Sequence, residues 1–464
     1  MPSTLRDARG EVLTASSLDV VERYDDVVNA YLGARADTRQ RLVTLLDEDA
    51  DFAFAHCMDG YLSMLTSTRE GTRQAAAALA RARAAAARRA PTTRESRHIE
   101  ALDAWVRGGM NDAAARWIAI LEDHPRDLVA VKVSQFVLSY LGESERMRDT
   151  VARVVGHWEP NVPGYGFMLG CYAYGLEEAG EYGAAEEVGR TAVELNPSDI
   201  WAAHAVAHVA EMQGRVQEGL SWIATAADEW RHCNGFARHL RWHEALYHLD
   251  LEKHEHVLLL YDRAVRCESS DEYLDMANAA SLLWRLEQAG ADVGGRWSEL
   301  ADRARRHVDD HALVFVDLHY LMALAAVGDA TAVESFLASC ERFVATRRGS
   351  EAAVMAAIGL PLARAVWAHR LGRYHEVVNA LAPLRQEIRW IGGSHAQRDV
   401  FEQLLIDAAW RGQYYALAAE LLAERTARRP RNLWAWKHYA TILGAMHASG
   451  AADAARTFDR LRRA

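Results

Sequence analysis

The sequence has few prolines, few cysteines and no long apolar segment. Its 464 residues include 9 prolines and 5 cysteines. Proline breaks helices, so its scarcity leaves long stretches free to form them, while a sparse, odd set of cysteines without a CxxC pair indicates a reducing compartment. No stretch approaches the roughly 20 apolar residues of a membrane span, and the polar N-terminus carries no secretory signal. We therefore expect a cytoplasmic protein without a membrane partner.

The sequence also lacks concentrated charge and the familiar catalytic motifs. The net charge is -11, with acidic and basic residues interspersed along the chain, which predicts no nucleic-acid partner. There is no Walker loop, GxGxxG or GxSxG, and Ala205 stands where an HExxH motif would carry its glutamate. These absences leave open whether the protein is an enzyme.

Regularly spaced glycines indicate a helical repeat. Gly108 and Gly142 lie 34 residues apart, and so do Gly180 and Gly214. A period near 34 residues with helix–turn–helix units is the tetratricopeptide signature. The pattern predicts an all-α fold, a tetratricopeptide-like α-solenoid of roughly ten antiparallel helix pairs that form a right-handed superhelix.

No glycine-serine or proline-rich linker divides the chain. We predict one superhelical domain over residues 1–464, in which residues 1–16 form an N-terminal segment of unassigned structure. A division into two domains near residue 290, at a short glycine-rich interruption, is the alternative.

The clearest repeat unit carries two histidines four residues apart. Asp199 is a natural cap for this helix, and His204 and His208 share one face of it. Counted back from the turn at Gly214, both histidines and Trp201 are expected to face the concave groove. Such a pair can hold a transition metal. The sequence favours a metal-free groove and leaves the cofactor unknown, with a divalent metal on His204 and His208 as the alternative.

The next repeat is rich in histidine and arginine. His243 and Glu244 are predicted to reach the groove, with Arg241 alongside as a further ligand-binding residue. His239 and His243 form a second pair with a four-residue spacing. Because both faces of one helix cannot point inward, we expect some of these residues to be structural.

A third polar stretch follows a pair of glycines near residue 393. Ser394 is a natural N-cap, and the free N–H groups of the following turn favour an anion. His395 and Arg398 are predicted to lie beside that anion, with Asp399 as the carboxylate at the helix start. An ordinary capped helix is the alternative interpretation.

Four segments resemble the tetratricopeptide repeat protein 38 family. The resemblance implies the divergent tetratricopeptide fold over nearly the whole chain, and it implies no settled biochemical activity. The segments that carry it are Asp199 to Arg215, Trp242 to Leu246, Ser281 to Gly290 and Ile391 to Ala409.

Two functions remain open from the sequence. The first is a pocket inside the superhelix that binds a small molecule or an anion, with or without catalysis. The second is a non-enzymatic scaffold whose groove takes a peptide or a partner helix. The oligomeric state is not predicted. The candidate catalytic residues are His204, His208, His243 and His395, and the candidate ligand-binding residues are Trp201, Arg241, Glu244, Ser394, Arg398 and Asp399.

Overall fold

The structure, a computed structural model, describes residues 5–463, without the side chains of 226–228. The predicted domain of 1–464 therefore includes residues 1–4 and 464, which lie outside the described residues. Across the described range the chain is helical, with two isolated β-bridges at Arg6–Val12 and Arg35–Cys233 and no longer strand pairing. The all-α prediction is confirmed.

The helices pack as consecutive antiparallel pairs, each formed by two neighbours in the sequence. The first six pairs are α1 (Leu18–Leu32) with α2 (Thr38–Glu48), α3 (Ala53–Met64) with α4 (Arg69–Arg88), α5 (Thr93–Val106) with α6 (Met110–Asp123), α7 (Leu128–Tyr140) with α8 (Ser144–Val155), α9 (Tyr165–Glu178) with α10 (Tyr182–Leu195), and α11 (Ile200–Met212) with α12 (Val216–Ala226).

The C-terminal half continues the same arrangement, which confirms the tetratricopeptide-like solenoid. Its short 3₁₀ and π-helical segments are Ala227–Trp230, Tyr261–Val265, Ala382–Leu384 and Glu387–Ile391. Its pairs are α13 (Phe236–Asp250) with α14 (His254–Leu260), α15 (Tyr273–Gln288) with α16 (Arg296–Ala304), α17 (Val314–Ala326) with α18 (Ala330–Thr346), α19 (Ser350–Val354) continued through Met355–Gly359 into α20 (Leu360–Arg370) with α21 (Tyr374–Leu381), α22 (His395–Arg411) with α23 (Tyr415–Arg428), and α24 (Leu433–Ala445) with α25 (Ala451–Arg463).

The predicted turn glycines explain most, but not all, of the repeat boundaries. Seven glycines at the turns between helices have a left-handed backbone, the conformation that glycine adopts without steric cost: Gly108, Gly142, Gly180, Gly214, Gly290, Gly328 and Gly372. In the first two pairs this conformation falls instead on Ala34 (φ 50°) and Ser67 (φ 52°). Glycine spacing therefore missed these pairs, and the described part of the chain contains twelve pairs where about ten were expected.

The inside of the superhelix, where the sequence predicted a concave groove, is largely filled by side chains. Segments more than 100 residues apart meet there: Arg285 Nη2 donates to the carbonyl of Ala396 (2.8 Å), and Asn432 Nδ2 donates to Asp250 Oδ1 (2.8 Å). A Cβ on Gly392 would lie 2.6 Å from the carbonyl oxygen of Tyr140, so only glycine allows this close backbone approach. The first helices therefore face a packed interior. The single-domain prediction stays a prediction.

One helical stretch, Ser350–Arg370, is long and apolar enough to cross a membrane by length and composition. The expectation that no stretch reaches this length was wrong. Within its most apolar part, 56% of the residues are buried inside the protein, and the stretch packs against α17, α18, α21 and α22. Such burial is typical of a core helix, and the absence of a membrane partner stays a prediction.

A buried ion pair fixes the start of α7. Asp127 accepts from the backbone N–H of Ala130 (2.9 Å) as N-cap, and it also faces Arg94 Nη1 (2.6 Å) and His98 Nε2 (2.9 Å). Arg94 and Asp127 are each 2% exposed. One carboxylate therefore joins α5 to the start of α7.

We expect Asp127→Asn to lower the free energy of unfolding by about 3–5 kcal/mol, because it keeps a capping oxygen but leaves a buried arginine charge without its partner. Urea titration monitored by circular dichroism measures the change. Asp112→Asn removes an exposed carboxylate that pairs with Arg116 (3.1 Å), and should cost at most about 1 kcal/mol. Equal losses in the two variants would contradict this account.

Candidate metal centre

Four histidines from two neighbouring first helices meet inside the protein. Asp199 begins α11 by accepting from the N–H groups of Trp201 (3.0 Å) and Ala202 (3.1 Å). Residues four apart in a helix share a face, so α11 and α13 each present one pair of imidazoles to the other. The exposed fractions are 2%, 0%, 2% and 0% for His204, His208, His239 and His243.

The imidazole rings converge through their Nε2 atoms. His239 Nε2 lies 3.0 Å from His204 Nε2 and 3.3 Å from His243 Nε2. The ring of His208 lies 4.2 Å from that of His204 and 4.5 Å from that of His243, between centroids. One ring nitrogen from each of the four residues falls within 4.8 Å of the other three, so a single ion can reach all four.

The opposite ring nitrogens of two of these histidines have a hydrogen-bond acceptor, and that of a third lies at ion-pair distance from a carboxylate. His243 Nδ1 lies 2.7 Å from Glu211 Oε2, and His239 Nδ1 lies 3.1 Å from Asn278 Oδ1. His208 Nδ1 lies 3.2 Å from Glu177 Oε2. An acceptor at Nδ1 places the proton of a neutral imidazole there and leaves a lone pair on Nε2.

Burial keeps most of the cluster uncharged. Loss of hydration lowers the pKa of His204, His239 and His243 well below the usual value, and neighbouring imidazoles lower it further. Burial also disfavours a charged His208, but the carboxylate of Glu177 outweighs it and raises the pKa of His208. Three neutral imidazoles thus stand with lone pairs available, which is the state that binds metals.

Two glutamates at the end of α9 connect the cluster with the start of α22. Glu177 and Glu178 are buried, and Glu178 Oε1 lies 3.8 Å from His208 Nδ1. The same Oε1 atom accepts from the backbone N–H of His395 (3.1 Å). Burial opposes ionisation of Glu178, but His395 and Arg398 hold its pKa below the usual value. Predicted residue His395 therefore meets the cluster through Glu178 and not directly.

The remaining predicted residues on α11 and α13 are Trp201, Arg241 and Glu244, and they do not all lie in the interior. Trp201 lies in the interior, with its ring 5.6 Å from that of His204 between centroids. Arg241 Nη1 donates to Glu244 Oε2 (2.8 Å) within one turn of α13, and the side chain of Arg241 is 34% exposed. Arg241 and Glu244 are therefore paired with each other, away from the imidazoles.

The glycine-rich turn before α22 contains a carboxylate where an anion was predicted. Ser394 forms a reciprocal capping box with Gln397, as expected for an N-cap. Arg398 donates to the carbonyl of Gly393, and its Nη2 lies 3.7 Å from Glu178 Oε2. The protein thus supplies its own negative charge at this helix start, and binding of an external anion there stays a prediction.

Asp399 makes a buried ion pair. Its Oδ2 accepts from Arg425 Nη2 (2.9 Å) and from Gln403 Nε2 (2.6 Å). It borders a polar cavity of about 130 Å³ that Glu211 and Arg285 also line. A pairing role explains this carboxylate, and a ligand-binding role for it stays a prediction.

Sequence reasoning left several members of the site out. The signal that would have included His239 is the repeat offset, since His204 and His239 are 35 residues apart, as are His208 and His243. Residues one repeat apart take equivalent places in neighbouring helices. No such signal marks Glu178, which meets His395 across 217 residues of sequence. The omitted residues are Glu177, Glu178, His239 and Asn278.

A small cavity touches one side of the histidine cluster. It measures about 60 Å³, and both His204 and His239 line it. Its other walls are mainly aromatic, including Tyr174, Trp201 and Phe315. A molecule in this cavity would contact two of the four imidazoles directly.

Comparisons with known proteins add little to this site. No family model matches the chain. The human IFIT1 dimer with PPP-AAAA is 13% identical, with a TM-score of 0.40 over 89% of this chain and 90% of that one. Naa15/Naa10 bound to HypK-THB is 12% identical, with a TM-score of 0.25 over 95% of this chain and 68% of that one. Matches this distant carry no argument about function, and the absence of a nucleic-acid partner stays a prediction.

Replacement of Glu178 tests whether the start of α22 accepts an anion. Glu178→Ala should lower the free energy of unfolding by about 1–3 kcal/mol, because buried donors on His395 and Arg398 lose their acceptor. Added sulfate should then stabilise the variant more than the parent, as measured by thermal unfolding. The exposed Glu194→Ala controls for the general stabilising effect of sulfate. An equal sulfate effect in all three proteins would contradict an anion site.

Proposed function

We propose that the protein binds one divalent transition-metal ion between His204, His208, His239 and His243, and uses it to bind a small molecule inside the superhelix. One observation carries the proposal. The Nδ1 atoms of His239 and His243 face acceptors, so the lone pairs of their Nε2 atoms, 3.3 Å apart, point at one another. Lone pairs at this distance repel, and a cation between them converts the repulsion into coordination.

The distances agree with a first coordination sphere. Imidazole nitrogens lie about 2.0–2.1 Å from zinc, so neighbouring ligand nitrogens are about 3.4 Å apart in a tetrahedron and about 3.0 Å apart at an octahedral right angle. The measured Nε2 separations are 3.0 Å and 3.3 Å. Four nitrogens within 4.8 Å need only small side-chain rotations to complete the site.

The charges of the glutamates beside the histidines are also compatible with a bound divalent ion. Glu178 is compensated by His395 and Arg398, whereas Glu177 contacts only an imidazole, and its two oxygens have no hydrogen-bond partner in the described part of the chain. Glu177 and Glu211 together can neutralise a divalent ion held by uncharged imidazoles. Carboxylates that accept from ligand histidines also orient the rings and strengthen their binding.

The neighbouring cavity would allow a bound ion to contact a small molecule as well as to stabilise the fold. Because it borders His204 and His239, a small molecule there can approach an open coordination position. An ion in such a position supplies Lewis acidity or a bound hydroxide. Imidazole ligands suit zinc, copper, iron and nickel.

The scaffold alternative has less support. A peptide or partner helix needs an open groove, but the expected groove residues Trp201, His204 and His208 are at most 7% exposed. We further propose that the chain belongs to the tetratricopeptide repeat protein 38 family, on the four segments quoted above, and that it is cytoplasmic, which agrees with its five free cysteines.

Metal content tests the proposal directly. Chelator-treated protein titrated with Zn²⁺ or Co²⁺ should take up one ion per chain, and the double variant His239→Ala/His243→Ala should take up none. The matched control is His248→Ala/His256→Ala, which removes another contacting pair of rings, 4.2 Å apart, outside the cluster. Calorimetry and elemental analysis measure the stoichiometry. No uptake by the parent, or undiminished uptake by the cluster variant, would refute the metal site.

Glu211→Gln provides a milder test that preserves folding. It removes the charge that orients His243, and we expect metal affinity to fall about 10- to 100-fold. At a free ion concentration 100 times the Kd, bound metal should add about 2.7 kcal/mol to stability. Chelation should therefore lower the Tm of the parent and leave that of the double histidine variant unchanged. An identical response of both proteins to the chelator would show that the effect has another source.

A further inference from the structure

A second, larger cavity leads towards the histidine cluster. It measures about 420 Å³, within the range of small-molecule sites, and lies between the N-terminal helices and α7. It shares walls with the 60 Å³ cavity beside His204 and His239, and we call these two adjoining cavities the passage. The shared residues are Phe136, Tyr140, Trp201, Phe236, Tyr273 and Leu274.

One buried cation, Lys132 on α7, lines this partly aromatic passage. It is 3% exposed, and its Nζ lies 3.5 Å from the ring centroid of Trp201 and 5.2 Å from that of Phe136. In the part of the chain that the structure describes, the ammonium has neither a hydrogen bond nor an ion pair. Burial lowers the pKa of Lys132 to about 8. A buried lysine without an anion is costly unless a ligand supplies one.

The neighbouring carboxylates form no ion pair with Lys132 in the described part of the chain. Asp199 Oδ1 accepts from two N–H groups at the start of α11, its Oδ2 has no hydrogen-bond partner among the described residues, and Asp199 lies beyond ion-pair distance of Lys132. Among the acids that line the larger cavity, Glu272 pairs with Arg238 (3.4 Å) and Asp271 with Arg303 (2.5 Å). The charge of Lys132 therefore remains available to a ligand.

Trp201 holds the passage in shape. Its Nε1 donates to Gln135 Oε1 (3.0 Å), and its ring also lies 5.1 Å from those of Phe136 and Phe236, between centroids. Flat aromatic walls of this kind select a flat, apolar ligand body.

We propose that this passage binds a small aromatic carboxylate. Lys132 pairs with the carboxylate, and Trp201 and Phe136 pack against the ring. The far end of the ligand points to His204 and His239. Contact with a metal ion there rests on the proposed function, whereas binding at Lys132 does not depend on it.

The test uses 2-naphthoate and its neutral analogue 2-naphthamide on the chelator-treated full chain. Calorimetry should show naphthoate binding at least ten-fold tighter than the amide. Lys132→Met should lose this preference while it keeps binding of the amide, because the aromatic walls are unchanged. Lys253→Met, at an exposed lysine, should behave as the parent. Replacement of a buried charge by an apolar chain of similar length should not lower the Tm.

Each contrary result overturns a defined part of the proposal. Equal binding of acid and amide, undiminished naphthoate binding by Lys132→Met, or no binding of either probe would refute the carboxylate site. With Co²⁺ bound, naphthoate should change the visible absorption of the parent. An unchanged spectrum at saturating naphthoate would refute contact between the bound ligand and a metal ion at the histidines. Failure of Co²⁺ itself to bind would refute the metal site and leave the result at Lys132 standing.

Discussion

Burial of ionisable side chains on the inner faces of the first helices is the constraint on which the rest of the structure depends. Because the array closes on itself, these groups leave water and need partners within the protein. Asp127 pairs with Arg94, Asp399 pairs with Arg425, and Glu178 accepts a hydrogen bond from the start of α22. The first two pairs join helices of the same or neighbouring repeats, and the third joins helices 217 residues apart in sequence. The four imidazoles differ, since several of their inner nitrogens face one another, and this arrangement is the basis of the proposed metal site.

The repeat itself builds that arrangement. A histidine pair with a four-residue spacing occurs at the same register in two successive units, so the two pairs lie side by side across α11 and α13. The row continues into α15, where Asn278 stands 35 residues after His243 and contacts His239. Equivalent positions in stacked repeats are neighbours in space. Two helices thus supply four imidazoles, and the flanking helices supply the groups that contact them.

The same register explains what could be predicted from the sequence. Turn glycines and helix stops predicted the all-α solenoid. They did not mark the first two pairs, where the left-handed turn residues are Ala34 and Ser67 and not glycine. The histidine face was predicted for His204, His208 and His243. His239 was left out because one face of α13 was expected to point elsewhere. Long-range partners such as Glu178 were beyond prediction, because closure of the superhelix, and not local sequence, brings them to α22.

In the described part of the chain, each end of the passage has buried polar groups without a charged partner. Lys132 lacks an anion, and the imidazole lone pairs lack a cation. Trp201 stands between them, in contact with the ammonium and with the ring of His204. A metal ion alone would place a second positive charge in the same buried space as Lys132, which a low dielectric makes unfavourable. A carboxylate ligand offsets both charges at once, so the ion and the ligand should favour each other's binding.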